Sequence, residues 1–323
     1  MSKDSGLTVG FDLGGTKMVA ALVDSDYKLL ARKKKNTHGK DPDEPIFDRM
    51  VRVIETLCKK NDADPKSLVG IGIGSPGPLD PVKGHIFETA NLPLKDFPLK
   101  DKMEEAFGVP VEVENDVTTG TLGEYHFGAG RKGTNVLGVF PGTGIGGGLI
   151  INGKVYTGSS HAGAEIGHIV LDPAGPRCGC GGRGCLEAYA SRTAITAQCM
   201  MLLLRGEASA LAKESGGDPA NIKSGALARA IEAGDKLVEE VVREAAARIG
   251  LAVGSLINVL SPDTVILGGG MVEAMPKLFL GEVEKNAKVS AMGPLMKAVR
   301  FAEAKLGDDA VMMGAAKLIE ERR

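Results

Sequence analysis

His168, Cys178, Cys180 and Cys185 fall within eighteen residues, inside the stretch EIGHIVLDPAGPRCGCGGRGCLE at 165–187. One imidazole and three thiols make a full donor set for tetrahedral Zn2+. The pattern His-x9-Cys-x-Cys-x4-Cys carries CxC where nucleic-acid fingers carry CxxC pairs. Four protein ligands leave no open position, so the expected ion is structural. Glu165 and Glu187 flank the stretch, so a metal clamp here would hold polar groups toward a substrate. Glu165 and His168 also match the E-x-x-H pair of di-iron bundles. The pair occurs once and has Gly163 and Gly167 around it, which speaks against a bundle helix.

A second candidate is Asn115-Asp116, directly after the apolar-alternating VEVE. A carboxylate at the C-terminal end of a strand can project into a cleft and accept a proton from a hydroxyl. On its own the pair reads equally as a turn or a helix cap. Two glycine-rich turns follow apolar strands: DLGGTK at Asp12–Lys17 and GTGIGGG at Gly142–Gly148. Such turns bring backbone N–H groups close to phosphate, and they also make simple tight hairpins. Each is followed by another strand, not by the helix that a P-loop or a dinucleotide fingerprint needs. The GxGxxG matches at Gly72–Gly77 and Gly142–Gly147 are set aside for the same reason.

The elements that must carry these groups alternate in type. Leu7–Val23 reads as strand, turn, strand, and Val136–Ile151 repeats that form. The echo suggests two related halves. Pro45–Lys60 has helical spacing, Leu68–Ile73 is a buried strand, Met103–Phe107 is helical and Val109–Val113 is the next strand. Arg192–Leu204 reads as a helix with an apolar face, and Gly206–Gly225, small and polar, as a loop or excursion. Asp235–Leu260 is the longest helical pattern, stopped by Ser261-Pro262. Thr264–Leu267 is a short strand running into Gly268-Gly269-Gly270, and Ala310–Glu320 is a final helix suited to pack back on the first half. Alternating strands and helices imply an α/β fold.

Composition narrows the partners. A chain of 323 residues fits two domains of roughly 100–200 residues each. A net charge of −2 gives no electrostatic case for nucleic acid. The basic run Arg32–Lys35 is read as a solvated strand end or loop. The N-terminal MSKDSGLTVG has no apolar h-region, so a secretory signal is not expected, and no stretch reads as a membrane helix. The expected location is cytoplasmic, where thiols stay reduced. Cys58 and Cys199 are then core residues, and the clustered cysteines are metal ligands rather than disulfide partners.

Taken in order, these motifs resemble the ROK family (repressors, open reading frames, kinases), and within it the bacterial ATP-dependent glucokinases. DLGGTK resembles the first phosphate motif, GSPGP (Gly74–Pro78) the sugar-side loop and END (Glu114–Asp116) the catalytic-aspartate segment. GTGIGGG resembles the second phosphate motif, HAGAEIGH with CGCGGRGCLE the zinc-and-sugar signature, and LGGG (Leu267–Gly270) the adenosine motif. Pro141 before GTG departs from the pattern.

The resemblance implies a two-domain actin/hexokinase-like fold of ribonuclease-H-like α/β units around a cleft. The smaller unit would be 1–116 plus 309–323, and the larger 117–308 with the zinc. It implies phosphorylation of a hexose, glucose first, at the 6-hydroxyl by ATP. Another hexose, polyphosphate as donor, or a non-catalytic sugar-sensing regulator stay as alternatives. Asp116 would be the general base. Gly74, Gly77, Asn115, Glu165, His168 and Glu187 would hold the sugar, with His168 also a zinc ligand. Asp12 would lie near Mg2+. Gly14, Gly15, Thr16 and Lys17 on the first turn, and Gly142, Thr143 and Gly144 on the second, would face the phosphates, and Gly268, Gly269 and Gly270 the adenosine. The family suggests a homodimer or higher homo-oligomer. The short lead before the first strand leaves no room for the helix-turn-helix of the repressor branch.

Overall fold

A computed structural model describes residues 6–38, 45–89, 92–207 and 209–322. Two five-stranded sheets form its frame, each opened by one of the glycine-tipped hairpins. In the first, β1 (Thr8–Leu13) pairs antiparallel with β2 (Lys17–Val23), and β2 with β3 (Leu29–Asn36). Helix α1 (Ile46–Lys60) leads to β4 (Gly70–Ser75), which lies parallel to β1. A small antiparallel sheet of β5 (Leu79–Asp80), β6 (His85–Glu88) and β7 (Lys95–Pro98) follows. Then come α2 (Leu99–Phe107) and β8 (Val111–Asn115), parallel to β4.

Helix α3 (Asp116–Phe127) leaves the end of β8 and reaches the second sheet. There β9 (Val136–Pro141), β10 (Ile145–Ile151) and β11 (Lys154–Val155) form the antiparallel part. Five helices intervene: α4 (Leu186–Ala190), α5 (Arg192–Leu204), α6 (Ser209–Ser215), α7 (Ser224–Glu232) and α8 (Lys236–Leu260). Strand β12 (Thr264–Leu267) pairs parallel with β9. Helices α9 (Gly270–Ala274), α10 (Pro276–Ser290) and α11 (Gly293–Lys297) then lead to β13 (Arg300–Glu303) and α12 (Ala310–Glu321). The sheet orders, β3-β2-β1-β4-β8 and β11-β10-β9-β12-β13, match position for position. The echo between the two hairpins in the sequence is therefore an echo of whole sheets.

Each sheet has its own core. Phe11, Ile71, Ile73 and Val111 meet Met50, Ile54 and Met103 from α1 and α2. Leu137, Val139, Val265 and Leu267 meet Val242, Ile249 and Val253 of α8. The other face of the first sheet is covered by α12. It lies so close that a Cβ on Gly10 would overlap the Met312 carbonyl oxygen, and one on Gly72 that of Ala315. These two glycines are register partners on β1 and β4, and together they cut a notch for the helix.

Three expectations change on meeting the structure. Residues 206–225 are largely helical: α6 lies within them, Pro219–Asn221 is a short 3-10 turn and α7 starts at Ser224, while residue 208 is outside the described part. Leu211 anchors α6 in the core and its N–H reaches Asp235, so the glycines and serines serve as ends of helices. Arg32–Lys35 is the body of edge strand β3, where Arg32 and Lys34 pair with Asp309 and Asp308 at 2.9 and 2.7 Å. Helix α5 keeps Ile195 and Cys199 buried but leaves Leu204 77% exposed, so its apolar face is only half used. Among the described residues no helix is long and apolar enough to cross a membrane.

Candidate active site

The parallel strands β1, β4 and β8 end at the same side of the first sheet, with Asp12, Gly74 and Glu114 in register. One residue past β8 the chain turns into α3, and Asn115 caps that helix. Its Oδ1 accepts the N–H groups of Val117 and Thr118 at 2.9 and 3.1 Å. The two readings of Asn115-Asp116, cleft acid and helix cap, both hold. Asn115 spends its oxygen on the cap, and its Nδ2 faces Gly77. Asp116 is the first residue of the helix, with Oδ1 accepting the Val117 N–H at 2.9 Å. Burial raises the Asp116 carboxyl above the usual range, backbone N–H bonds oppose this, and the nearby Glu165 charge adds to it.

Two recesses open on either side of this helix start. The first lies between Gly77–Leu79, Glu114, Asn115, Val117 and Thr118 on one wall and Gly146, Gly147, Thr157, His161–Gly163 and Glu165 on the other. The second, about 670 Å³, is lined by Asp12, Asp116, Phe140, Gly269, Glu273 and Asp308, among others. Asp116 lines the second recess, and its chain neighbours Asn115 and Val117 line the first, which sets Asp116 at their junction. Asp12 is pushed up to about 7, first by burial, then by the charges of Asp116 and Asp308, with Lys34 pulling the other way. A carboxylate so placed is relieved by a bound cation, which fits a divalent metal.

The glycine turns do two jobs. In the first, the Gly14 N–H closes the hairpin onto the Lys17 carbonyl at 3.0 Å, while Thr16 and Lys17 are exposed at the tip. In the second, the Gly142 N–H closes onto the Gly144 carbonyl at 2.8 Å, and Arg192 of α5 donates to Thr143 Oγ1 at 2.6 Å. The rest of that motif seats neighbours: a Cβ on Gly146 would overlap Val117, and one on Gly148 would overlap Thr121, both on α3. Gly268-Gly269-Gly270 follows β12 beside the end of β9, and Gly269 takes φ +79° at the rim of the second recess. Both turns and the triple glycine thus sit at the C-terminal ends of parallel strands or on the hairpins beside them, where α/β sheets bind ligands.

His168 and the three cysteines converge as the sequence suggests. Their ligand atoms lie within 4.8 Å of one another, with Cys178 Sγ 3.6 Å from His168 Nδ1 and Cys180 Sγ 3.7 Å from Cys185 Sγ. A tetrahedron with Zn–S bonds of about 2.3 Å has edges of roughly 3.7–3.8 Å. All three cysteines are free, so the residues present fit zinc. With Nδ1 turned to the cysteines, His168 presents Nε2 to the outside, 4.0 Å from Glu165 Oε2.

Not every predicted contact lines the first recess. Asn115, Gly77 and Glu165 do. Gly74 instead faces α3 and α12, where a Cβ would overlap Val311. Glu187 lies behind the second hairpin: Oε2 accepts the Ile145 N–H at 2.9 Å and Oε1 is 4.0 Å from Cys178 Sγ. It links the metal site to the hairpin tip. Thr157, Glu273 and Asp308 were not singled out in the sequence. They come from loops and helix ends with no motif, and only the folded chain gathers them. His161 opens the HAGAEIGH signature but was given no role there.

Two equivalent α/β sheets around a cleft, with an acid at the junction of two recesses, define the actin/hexokinase-like class of sugar kinases. Residues 8–322 match the ROK family, and the chain belongs to that family. It is 36% identical to a glucokinase of Thermotoga maritima over 97% of both chains. It is similar to the crystal structure of a ROK family glucokinase from Streptomyces griseus in complex with glucose and AMPPNP, with TM-score 0.82, 32% identity and 98% and 100% of the two chains covered. It also superposes on a ROK family transcriptional regulator with TM-score 0.86 at 26% identity, covering 99% of this chain and 79% of the regulator.

Proposed function

We propose that the protein transfers the terminal phosphoryl group of ATP to the 6-hydroxyl of a hexose, glucose before others. The observation that carries this is the placement of Asp116, a carboxylate between one recess rimmed by hydroxyl-binding groups and another rimmed by acids and glycines. The hexose occupies the first recess, held by Asn115 Nδ2, Glu165, His168 Nε2 and the backbone at Gly77. A polyol suits this set, since each missing hydroxyl leaves a polar group without a partner. The nucleotide lies across the second recess, its phosphates against the turns at Gly14–Lys17 and Gly142–Gly144 and its adenosine toward Gly268–Gly270.

Asp116 accepts the proton of the 6-hydroxyl as the oxygen attacks phosphorus in line, and ADP leaves. Its raised carboxyl brings it nearer the working pH, which strengthens it as a base. Asp12 would hold Mg2+, which supplies positive charge to the transferring group. Backbone N–H groups of the hairpin tips meet the remaining phosphate charge. Zn2+ at His168, Cys178, Cys180 and Cys185 would fix the loop that presents Glu165 and His168. Glu187 keeps its hairpin partner and acts on the sugar through that support, unless closure turns it.

The units 1–116 plus 309–323 and 117–308 close on the pair of substrates, excluding water that would hydrolyse ATP. We place the enzyme in the cytoplasm as a homodimer or higher homo-oligomer, on the pattern of the family. A regulator that senses sugar without turnover is the second reading, favoured by the superposition on the transcriptional regulator. The deciding test is sugar-dependent ADP release with Mg-ATP over glucose, N-acetylmannosamine, N-acetylglucosamine and fructose. Turnover with glucose supports the proposal, and turnover with another hexose changes the substrate alone. No turnover with any sugar, with ATP or polyphosphate, rejects it for the sensing role.

A further inference from the structure

Glu114 is the deepest charged group beneath the sugar-side recess, and the transfer just described makes no use of it. Its side chain is 1% exposed. Burial raises its carboxyl above the usual range, and Arg322 opposes that most strongly. One oxygen accepts the N–H of Asn115 at 2.7 Å, and the other accepts from Nη2 of Arg322. Nη1 of the same guanidinium donates to the carbonyls of Val113 and Pro81 at 3.1 and 3.4 Å and approaches Glu112 at 3.5 Å. Lys100 on this side is taken by Glu112 at 3.0 Å. His161 faces Glu114 from the opposite wall.

Arg322 follows the last turn of α12, the helix seated in the Gly10–Gly72 notch. The guanidinium is therefore carried on a rigid support. It ties that support to the end of β8, which leads to Asn115 and Asp116. It also ties it to Pro81, just past the Gly77–Leu79 wall of the recess.

We propose that Arg322 is a positioning residue for phosphoryl transfer: its fork onto Glu114, Val113 and Pro81 sets Asn115 and Asp116 against the bound hexose. The proposal rests on the kinase reading above. Without the arginine, Glu114 keeps a buried charge with no cation bound to it, and such a charge forces rearrangement. A shift of about 1 Å in a catalytic group is enough to cost about a hundredfold in rate.

The test compares wild type, R322M, R322K, E114Q and E114Q/R322M. Each is measured for melting temperature, for glucose affinity by calorimetry, and for kcat and KM toward glucose and Mg-ATP. R322M is expected to lower kcat/KM for glucose about tenfold to a hundredfold with KM for Mg-ATP unchanged, because Arg322 touches nothing that rims the nucleotide recess. R322K, which keeps the charge and loses the fork, falls between. E114Q/R322M leaves no buried charge and still accepts the Asn115 N–H, so it recovers part of the lost kcat/KM and melting temperature. If R322M does not fold, E114Q/R322M against E114Q decides: a lower kcat/KM for glucose supports the proposal, and equality overturns it. It is also overturned by wild-type kcat/KM in R322M, by a KM for Mg-ATP raised as much as that for glucose, or by a double variant no better than R322M. A wild type that neither binds nor phosphorylates any sugar sinks the kinase reading, a result separate from losses confined to the variants.

Discussion

With Asp116 as the proposed base, activity should respond to pH through its carboxyl. Only its ionised form can take a proton from the sugar, and burial holds its carboxyl above the ordinary range. The acid limb of kcat/KM for glucose should therefore lie above about pH 4, where a free aspartate titrates. Glu165 contributes to that rise, so Glu165→Gln should move the limb to lower pH while raising KM for the sugar. An unmoved limb would remove Glu165 from the electrostatics of the base. Asp116→Asn should cut kcat by about a thousandfold while calorimetry still detects sugar binding.

Asp12 gives a stability signature of its own. Its folded-state value of about 7 lies above the ordinary aspartate value of 3.8. The folded chain then binds more protons than the unfolded one between those values, so stability is full below about 4 and is lost as pH rises through about 7. Protein stripped of divalent metal should lose melting temperature across that window, and Asp12→Asn should flatten the loss. Equal slopes in both proteins would contradict this. The chemistry of both acids could be read from residue type and motif. The junction position of Asp116 could not, because it depends on α3 starting at the very end of β8.

At the scale of elements, packing and metal share the task of holding loops. Residues 169–185 contain no helix or strand beyond isolated bridges, such as Val170 with Cys185. Backbone bonds such as Leu171 N–H to the Gly184 carbonyl at 2.8 Å hold that loop, and a metal at His168 and the three cysteines would add a tether across it. Removing zinc by chelation, or making Cys180→Ser, should lower melting temperature and raise KM for glucose together. Cys180 is exposed, so lost packing cannot account for such an effect. Unchanged melting temperature and KM in metal-free protein would refute it. The notch under α12 makes a different demand. Gly72→Ala puts a methyl onto the Ala315 carbonyl and should destabilise by about 3 kcal/mol, seen as a lower denaturation midpoint.

Elements with strong periodicity, α1, α8 and both hairpins, were legible in the sequence. Helix α3 was not, since TTGTLG carries no clear apolar stripe and its faces are buried on several sides. Strand β3 was masked by its lysines, which suit an exposed edge. Likewise GTGIGGG read as one phosphate motif, whereas its glycines Gly146 and Gly148 on β10 make room for α3.

Across the whole molecule, the two equivalent sheets meet through α3 and α12. These cross where a Cβ on Gly123 would overlap the Ala310 carbonyl, and one on Gly314 that of Thr119. Closure of the two proposed units on their substrates would turn about this crossing. Solution scattering should show the radius of gyration falling when glucose and a non-hydrolysable ATP analogue are added together. No change with both present would argue against closure.

The same arrangement has a consequence during synthesis. The first sheet is finished at Asn115, yet α12, which covers its glycine-lined face, begins at Ala310. Roughly 190 residues separate them. At ribosomal speed that delay is roughly ten to forty seconds. Through that interval the nascent first half shows the ribosome exit and any waiting chaperone a bare groove, and its maturation must wait for α12 to emerge.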